Sequence, residues 1–228
     1  RRRRIFIFGY KKGTVGYKRI IKLKSPSDLI LERGVFAETL PVSSDKNLRS
    51  GKLDSDLVKL SESFNSEGKK NPFENSGYII GGTFYTMRTE SNYDGPRINL
   101  KDILVPAKKV NPTFYLNEED LPKWQYMKGA KNEERYNKAG KFHYRYAEGG
   151  MHFPDPLDRP SRTVITGEGG RSPSRIKHVV SQKGKLRRLT PIELERLNMF
   201  PDDHTKLDGI SDSKRAFFMG NALVVGVV

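Results

Sequence analysis

The chain has no cysteine in its 228 residues. That excludes disulfides and thiolate metal sites, and any thiolate nucleophile has to come from outside this sequence. Long apolar runs are missing too. None approaches the roughly twenty residues of a membrane span, and no signal-peptide pattern is visible, so no membrane partner is expected. Acids are scarce beside bases: 27 Asp and Glu stand against 42 Lys and Arg, for a net charge of +15. That surplus predicts a polyanionic partner. Tryptophan occurs once, at Trp124, and is expected in the core. His143, His152, His178 and His204 are scattered without ligand spacing and are read as surface or structural residues, with no metal site expected. Neither Gly81-Gly82 nor Gly167-Glu168-Gly169-Gly170 has the strand–GxGxxG–helix context of a nucleotide site.

What is present is unevenly placed. A hydrophobic fraction of 35% with 30% charged residues predicts one modest core and long polar loops, in one large domain or two small ones. Residues 1–24 hold ten Lys or Arg and no acid. A second basic zone runs through Lys128, Lys131, Arg135, Lys138, Lys141 and Arg145, interleaved with Tyr136, Phe142, Tyr144 and Tyr146. A third contains Arg171, Arg175, Lys177, Lys183, Lys185, Arg187 and Arg188. One basic run is usually a solvated face. Three of them, two threaded with aromatics, suggest a track for nucleic-acid phosphates with a reading surface in it.

The apolar run at 5–9 predicts a buried strand, with Gly13 and Gly16 punctuating a basic turn after it. Ser25-Pro26-Ser27-Asp28 opens a short helix that ends at Gly34. Residues 43–76, apart from Leu53 to Leu60, read as a polar loop or weakly held helix. A hairpin follows, turning at Gly81-Gly82, and Asp94-Gly95-Pro96 is another turn. Asn117 opens a helix containing Leu121, Trp124 and Met127, and Tyr144 to Tyr146 is a candidate strand running into Gly149-Gly150. Thr190-Pro191-Ile192-Glu193 is a helix start with cap, proline and capping-box glutamate in place, and Pro201 is expected to stop that helix.

The wording of that last region is more specific than helix formation requires. Arg187-x-Leu189-Thr190-Pro191-x-Glu193-x-x-Arg196-Leu197-x-x-Phe200-Pro201-Asp202, followed by Phe217-x-x-Gly220-Asn221-Ala222, resembles the C-terminal end of DNA (cytosine-5) methyltransferases. Arg1-Arg2-Arg3-Arg4-Ile5-Phe6-Ile7-Phe8-Gly9 resembles that family's Gln-x-Arg-x-Arg motif and following strand, with the Gln falling one residue before Arg1. Arg159-Pro160-Ser161-Arg162-Thr163-Val164-Ile165-Thr166 is similar to the family's ninth motif. The three motifs stand in family order.

The resemblance implies an α/β protein overall: an α+β target-recognition domain flanked by pieces of a Rossmann-like, S-adenosylmethionine-dependent domain. Residues 1–24 would belong to the catalytic domain, 25–188 to target recognition, 189–219 to the hinge, and 220–228 to the tenth motif. The implied partners are double-stranded DNA and an N-terminal catalytic half, in the same polypeptide or a separate subunit. That half would bring the Cys, the Glu-Asn-Val motif and most of the S-adenosylmethionine site, all absent here. Both ends of the chain are expected to be cut, or to belong to a longer gene. A cytoplasmic, nucleoid-associated setting and a restriction–modification context go with the resemblance. Arg4 would hold the flipped cytosine at its exocyclic oxygen and Arg2 brace the site; the alternative is a basic tail. Thr163 would bond a DNA phosphate, or simply be a β-branched strand residue. Asn221 and Ala222 would lie beside the cofactor. Arg145, Glu148 and His152 occupy the place of a base-reading loop, alternatively a plain connection, and Lys138, Lys141 and Arg171 are candidate phosphate contacts. A rival reading is a non-enzymatic, sequence-specific DNA-binding module derived from such a recognition domain.

Overall fold

The structure, a computed structural model, describes residues 5–53, 56–63 and 73–228. Arg2 and Arg4 therefore lie outside the described residues, as does part of the 43–76 stretch. Two compact units meet in sequence at Gly95 and Pro96, inside the 25–188 span expected for target recognition. Every strand pair among the described residues is antiparallel, so the chain is a mixed α and β structure. Among those residues no helix is long and apolar enough to cross a membrane.

In the first unit, Thr14 caps helix α1 (Val15–Ile20), its hydroxyl accepting from the Tyr17 amide. α2 (Asp28–Leu31) starts where Ser25 to Asp28 predict it, and Gly34 opens α3 (Val35–Thr39). A side chain at Gly34 would sit 2.1 Å from the Leu29 carbonyl oxygen, so the junction needs glycine. Strand β1 (Val42–Ser43) pairs with the later β5, and β2 (Arg49–Lys52) precedes α4 (Leu57–Ser63). β3 (Ser76–Ile80) and β4 (Thr83–Met87) form the expected hairpin, followed by β5 (Glu90–Ser91). Gly81 and Gly82 turn it at φ +54° and +76°, a conformation open to glycine at little cost. The sheet order is β2-β4-β3, so β2, unforeseen in the polar 43–76 stretch, is held by pairing with β4. Tyr78 and Tyr85 stack at 4.9 Å, and burial pushes the Tyr78 phenol up to about 12.

The strand expected at 5–9 does not form. Ile5 and Ile7 are 87% and 91% exposed, and no strand among the described residues pairs with them. Phe6 and Phe8 instead pack edge-on against Phe36. An apolar run becomes a strand only when a neighbour takes its backbone hydrogen bonds.

The second unit has one main core of Leu100, Ile103, Val164, Val180, Leu189, Leu194, Ala216 and Met219. Short 3-10 turns carry the chain to α5 (Leu121–Lys128), where Trp124 is fully buried and stacks on Phe153. The second basic zone is a hairpin, β6 (Lys131–Asn137) with β7 (Phe142–Glu148). The third becomes another, β8 (Val179–Gln182) with β9 (Lys185–Arg188), turned by Lys183 and Gly184 at positive φ. α6 (Pro191–Leu197) has the full capping box of Thr190 and Glu193, and α7 (Asp212–Asn221) starts at Ser211. Pro201 does not stop α6. The helix closes earlier: Met199 enters the left-handed region at φ +62°, the Met199 amide bonds Arg196 O and the Phe200 amide bonds Glu195 O.

Candidate nucleic-acid interface

The segment 159–166 crosses the second unit without strand pairing, so side chains have to fix it. Arg162 does most of this. Its guanidinium clamps buried Asp155 at 2.7 and 3.0 Å and donates to the carbonyls of Ile176 and Lys177. Burial alone would raise Asp155. The bonds and charge of Arg162 and the Val179 amide outweigh it and hold the carboxyl below its usual range. Beside this pair, Ser161 Oγ lies 3.0 Å from His178 Nε2, and His178 Nδ1 lies 2.9 Å from Glu168 Oε1. The other oxygen of Glu168 accepts the His178 amide at 2.9 Å. His178 and Glu168 are 0% and 2% exposed, and the Ser161 hydroxyl donates to the Arg162 carbonyl. This Ser–His–Glu chain acts as a brace: its His and Glu are buried, and the Ser161 hydroxyl is committed to the Arg162 carbonyl. Thr163 follows, half-buried, and its hydroxyl makes no hydrogen bond among the described residues.

Helix α7 lies directly on this segment. A side chain at Gly220 would come within 2.3 Å of the Thr166 nitrogen, and one at Gly169 within 2.6 Å of Ser213 Cα. Both glycines are needed for the close approach. Asn198 ties the two helices by donating to the carbonyls of Leu194 and Met219. Thus the stretches that resemble the ninth and tenth motifs are one packed structure. Beneath it, Glu193 accepts from Arg187 at 2.6 and 2.9 Å and also from the amides of Val105 and Thr190. Glu195, fully buried, receives Arg215 and the amides of Asp203 and Thr205. Glu193, Asp202 and Asp203, expected as capping and hinge residues, are bonded to Arg187, Arg196 and Arg215 respectively.

The third basic zone is only in part a surface. Arg187, Arg188 and Lys177 are 0%, 4% and 8% exposed. Arg188 spans the carbonyls of Gly169 and Thr113, and Lys177 donates to those of Gly170 and Ser172. The phosphate track expected there shrinks to exposed Arg171, Lys183 and Lys185.

The β6–β7 hairpin keeps its cations outside. Lys138 and Lys141 are exposed at its tip, and Arg145 is exposed on β7. Arg145 Nε donates to Asn132 Oδ1 at 2.7 Å across the ladder. Glu148, expected to work with Arg145 as a base reader, faces the other way. An odd spacing puts the two on opposite sides of the strand, and Glu148 is held by Lys131 at 3.5 Å and Arg175 at 3.0 Å. His152 is exposed beyond the strand. The residues that sequence reasoning missed, Asp155 and Glu168, carried no local signal, since their partners Arg162 and His178 stand seven and ten positions away; His178, read as surface or structural, is structural.

For a nucleotide cofactor this chain offers little. Asn221 is exposed with its amide turned back to the Phe217 carbonyl at 3.2 Å, and Ala222 packs on the core. Gly169 is filled by α7 and Gly170 lies against Lys177, so that turn is no phosphate cradle. The described residues do not fit a complete cofactor site.

Comparison with known proteins gives a consistent relationship. The family model for C-5 cytosine-specific DNA methylase matches residues 1–228. The Type II methyltransferase M.Sau3AI of Staphylococcus aureus is 38% identical over 232 residues, covering 100% of this chain and 53% of that protein. The chain therefore spans about half the length of the curated relative it matches. The crystal structure of S. pombe Dnmt2 methyltransferase is similar at 14% identity and a TM-score of 0.39, over 79% of this chain and 53% of that one, which is too weak to bear on the fold.

Proposed function

Since the chain belongs to the C-5 cytosine-specific DNA methylase family, we propose that it is the target-recognition and hinge segment of a DNA (cytosine-5) methyltransferase, which selects a duplex site and helps to hold a flipped cytosine. The methyl donor is S-adenosylmethionine. Its cradle and the nucleophilic cysteine come from polypeptide outside residues 1–228. The family match along the whole of a chain without cysteine carries this reading. In it, residues 1–24 belong to the catalytic domain, 25–188 to recognition, 189–219 to the hinge and 220–228 to the returning tenth motif. The Rossmann-like domain that the resemblance implies is completed by the other half, and exposed Phe217, Phe218 and Leu223 are suited to packing there.

Extruding a base from the stack costs a few kcal/mol, which the enzyme has to offset by contacts to the flipped nucleotide and its flanks. Arg4 holds the cytosine oxygen with a charged fork of donors, and Arg2 braces it. Thr163, displayed by the Arg162–Asp155 clamp, bonds the adjacent phosphate, and Arg171, Lys138 and Lys141 neutralise others. Arg145 and His152 approach base edges, while Asn221 and Ala222 border the cofactor.

The test is methyl transfer. The complete enzyme, with duplex DNA and methyl-labelled S-adenosylmethionine, should label cytosine C5, and the isolated chain should label nothing. Labelling by the isolated chain overturns the division of labour. A complete enzyme that binds DNA and transfers nothing makes the protein a non-enzymatic binding module.

A further inference from the structure

Side chains alternate along β6 and β7, so the hairpin has two unlike faces. One carries Lys131, Glu133, Arg135, Tyr144, Tyr146 and Glu148, and it is engaged with the rest of its unit. The Tyr126 hydroxyl of α5 donates to Glu133 at 3.3 Å, Lys131 stands 4.9 Å over the Tyr126 ring, and Arg175 binds Glu148. The other face carries Asn132, Glu134, Tyr136, His143 and Arg145, all exposed. These are ordered in a row. Arg145 and Glu134 are direct cross-strand neighbours, Arg145 Nε is held by Asn132, and His143 Nδ1 lies 3.2 Å from Glu134 Oε1.

We infer that this open face reads base edges in the major groove of duplex DNA, with Arg145 on a guanine and Glu134 on a cytosine amino group. The inference rests on the DNA-recognition reading above and adds its readout surface. A two-stranded ribbon fits the major groove, where an arginine fork matches guanine O6 and N7 and a carboxylate accepts from cytosine N4. Among the described residues the two terminal nitrogens of Arg145 have no partner, because Asn132 takes only Nε. Glu134 decides the orientation. An exposed carboxylate on a hairpin tipped by Lys138 and Lys141 is repelled by phosphates, so it belongs at the floor of the groove, where acceptors are useful. The lysines at the tip then meet the backbone. Glu148 cannot substitute, since it is on the engaged face.

The experiment presents the complete enzyme with a pool of duplexes randomised over the binding site and sequences the bound fraction. The wild type should select a preferred sequence. Glu134→Gln and Arg145→Ala should each lose about ten- to a hundred-fold discrimination at one base pair, the same or an adjacent one. Their binding to the whole pool should change less than about threefold, and Tyr144→Ala, on the other face, should keep the wild-type preference. Preferences unchanged in both variants, loss of the preference in Tyr144→Ala alone, or collapse of all binding in Glu134→Gln would each overturn the inference. A wild type without preference or duplex binding defeats the recognition reading itself, a separate result from a preference that both variants keep.

Discussion

Residues 128–145 and 171–188 look alike as sequence, and the fold uses them in opposite ways. In the stretch 171–188, Lys177, Arg187 and Arg188 are buried, each aimed at carbonyls or a carboxylate. In the stretch 128–145, Lys138, Lys141 and Arg145 stand on a hairpin whose far face is exposed. The difference is where the strands run. β8 and β9 lie at the centre of the unit, beside the capping box of α6, where a cation has to find partners to be tolerated. β6 and β7 leave the body after α5, whose last residue Lys128 is buried, and in the two strands only Lys131 at the root is buried. A basic run is a binding surface only where its strand leaves the core; elsewhere it is internal bonding.

The sharpest way to break that contrast is to remove one buried carboxylate. Glu193→Ala leaves Arg187, at 0% exposure, as an unpaired cation and orphans the amides of Val105 and Thr190. Loss of one partner of a buried pair costs about 3–5 kcal/mol, and urea denaturation should show a loss of that size. The matching removal on the hairpin, Glu134→Ala, breaks an exposed pair worth at most about 1 kcal/mol. Equal losses would erase the distinction between the two zones.

The parts of this contrast that were legible in the sequence are those with local signals. Thr190 and Glu193 announce a capping box because helix starts need those groups three residues apart, and Gly81-Gly82 announces a hairpin because its turn needs positive φ. The ninth-motif stretch was recognisable by its wording, but not what holds it. Ser161, Glu168 and His178 meet through packing that no periodicity encodes. β6 was missed because Lys131 to Asn137 contains a single Tyr and no other apolar residue, so its alternation is invisible. The error at 5–9 was the reverse: the apolar run of Ile and Phe was strong, and no described strand takes up its backbone hydrogen bonds.

A second prediction uses Lys128, where the buried behaviour reaches into the 128–145 stretch. Burial drives its ammonium down to about 8 while it donates to the Lys177 carbonyl. The unfolded lysine keeps its proton up to about 10.4. Between those values the unfolded state binds more protons, so stability rises with pH, by up to about 1.4 kcal/mol per unit. The comparison is with Lys128→Met, followed by denaturation from pH 7 to pH 10. The wild type should gain on the variant across that window. A constant gap would mean that Lys128 stays charged in the fold.

The smallest expected change in stability belongs to the tip. Lys138→Gln with Lys141→Asn removes two exposed cations, and asparagine tolerates the φ of +53° at position 141. No buried group loses a partner, so stability should move by less than about 0.5 kcal/mol. DNA binding should respond differently. Each lysine on a phosphate releases about one condensed counterion, so the plot of log affinity against log salt should become shallower by roughly one to two units. The loss should be nearly the same on preferred and random duplexes, because phosphates carry no sequence information. An unchanged slope would take the tip off the DNA. A large drop in stability would show that the tip bonds internally as Arg187 does, and the contrast between the two basic zones would fail.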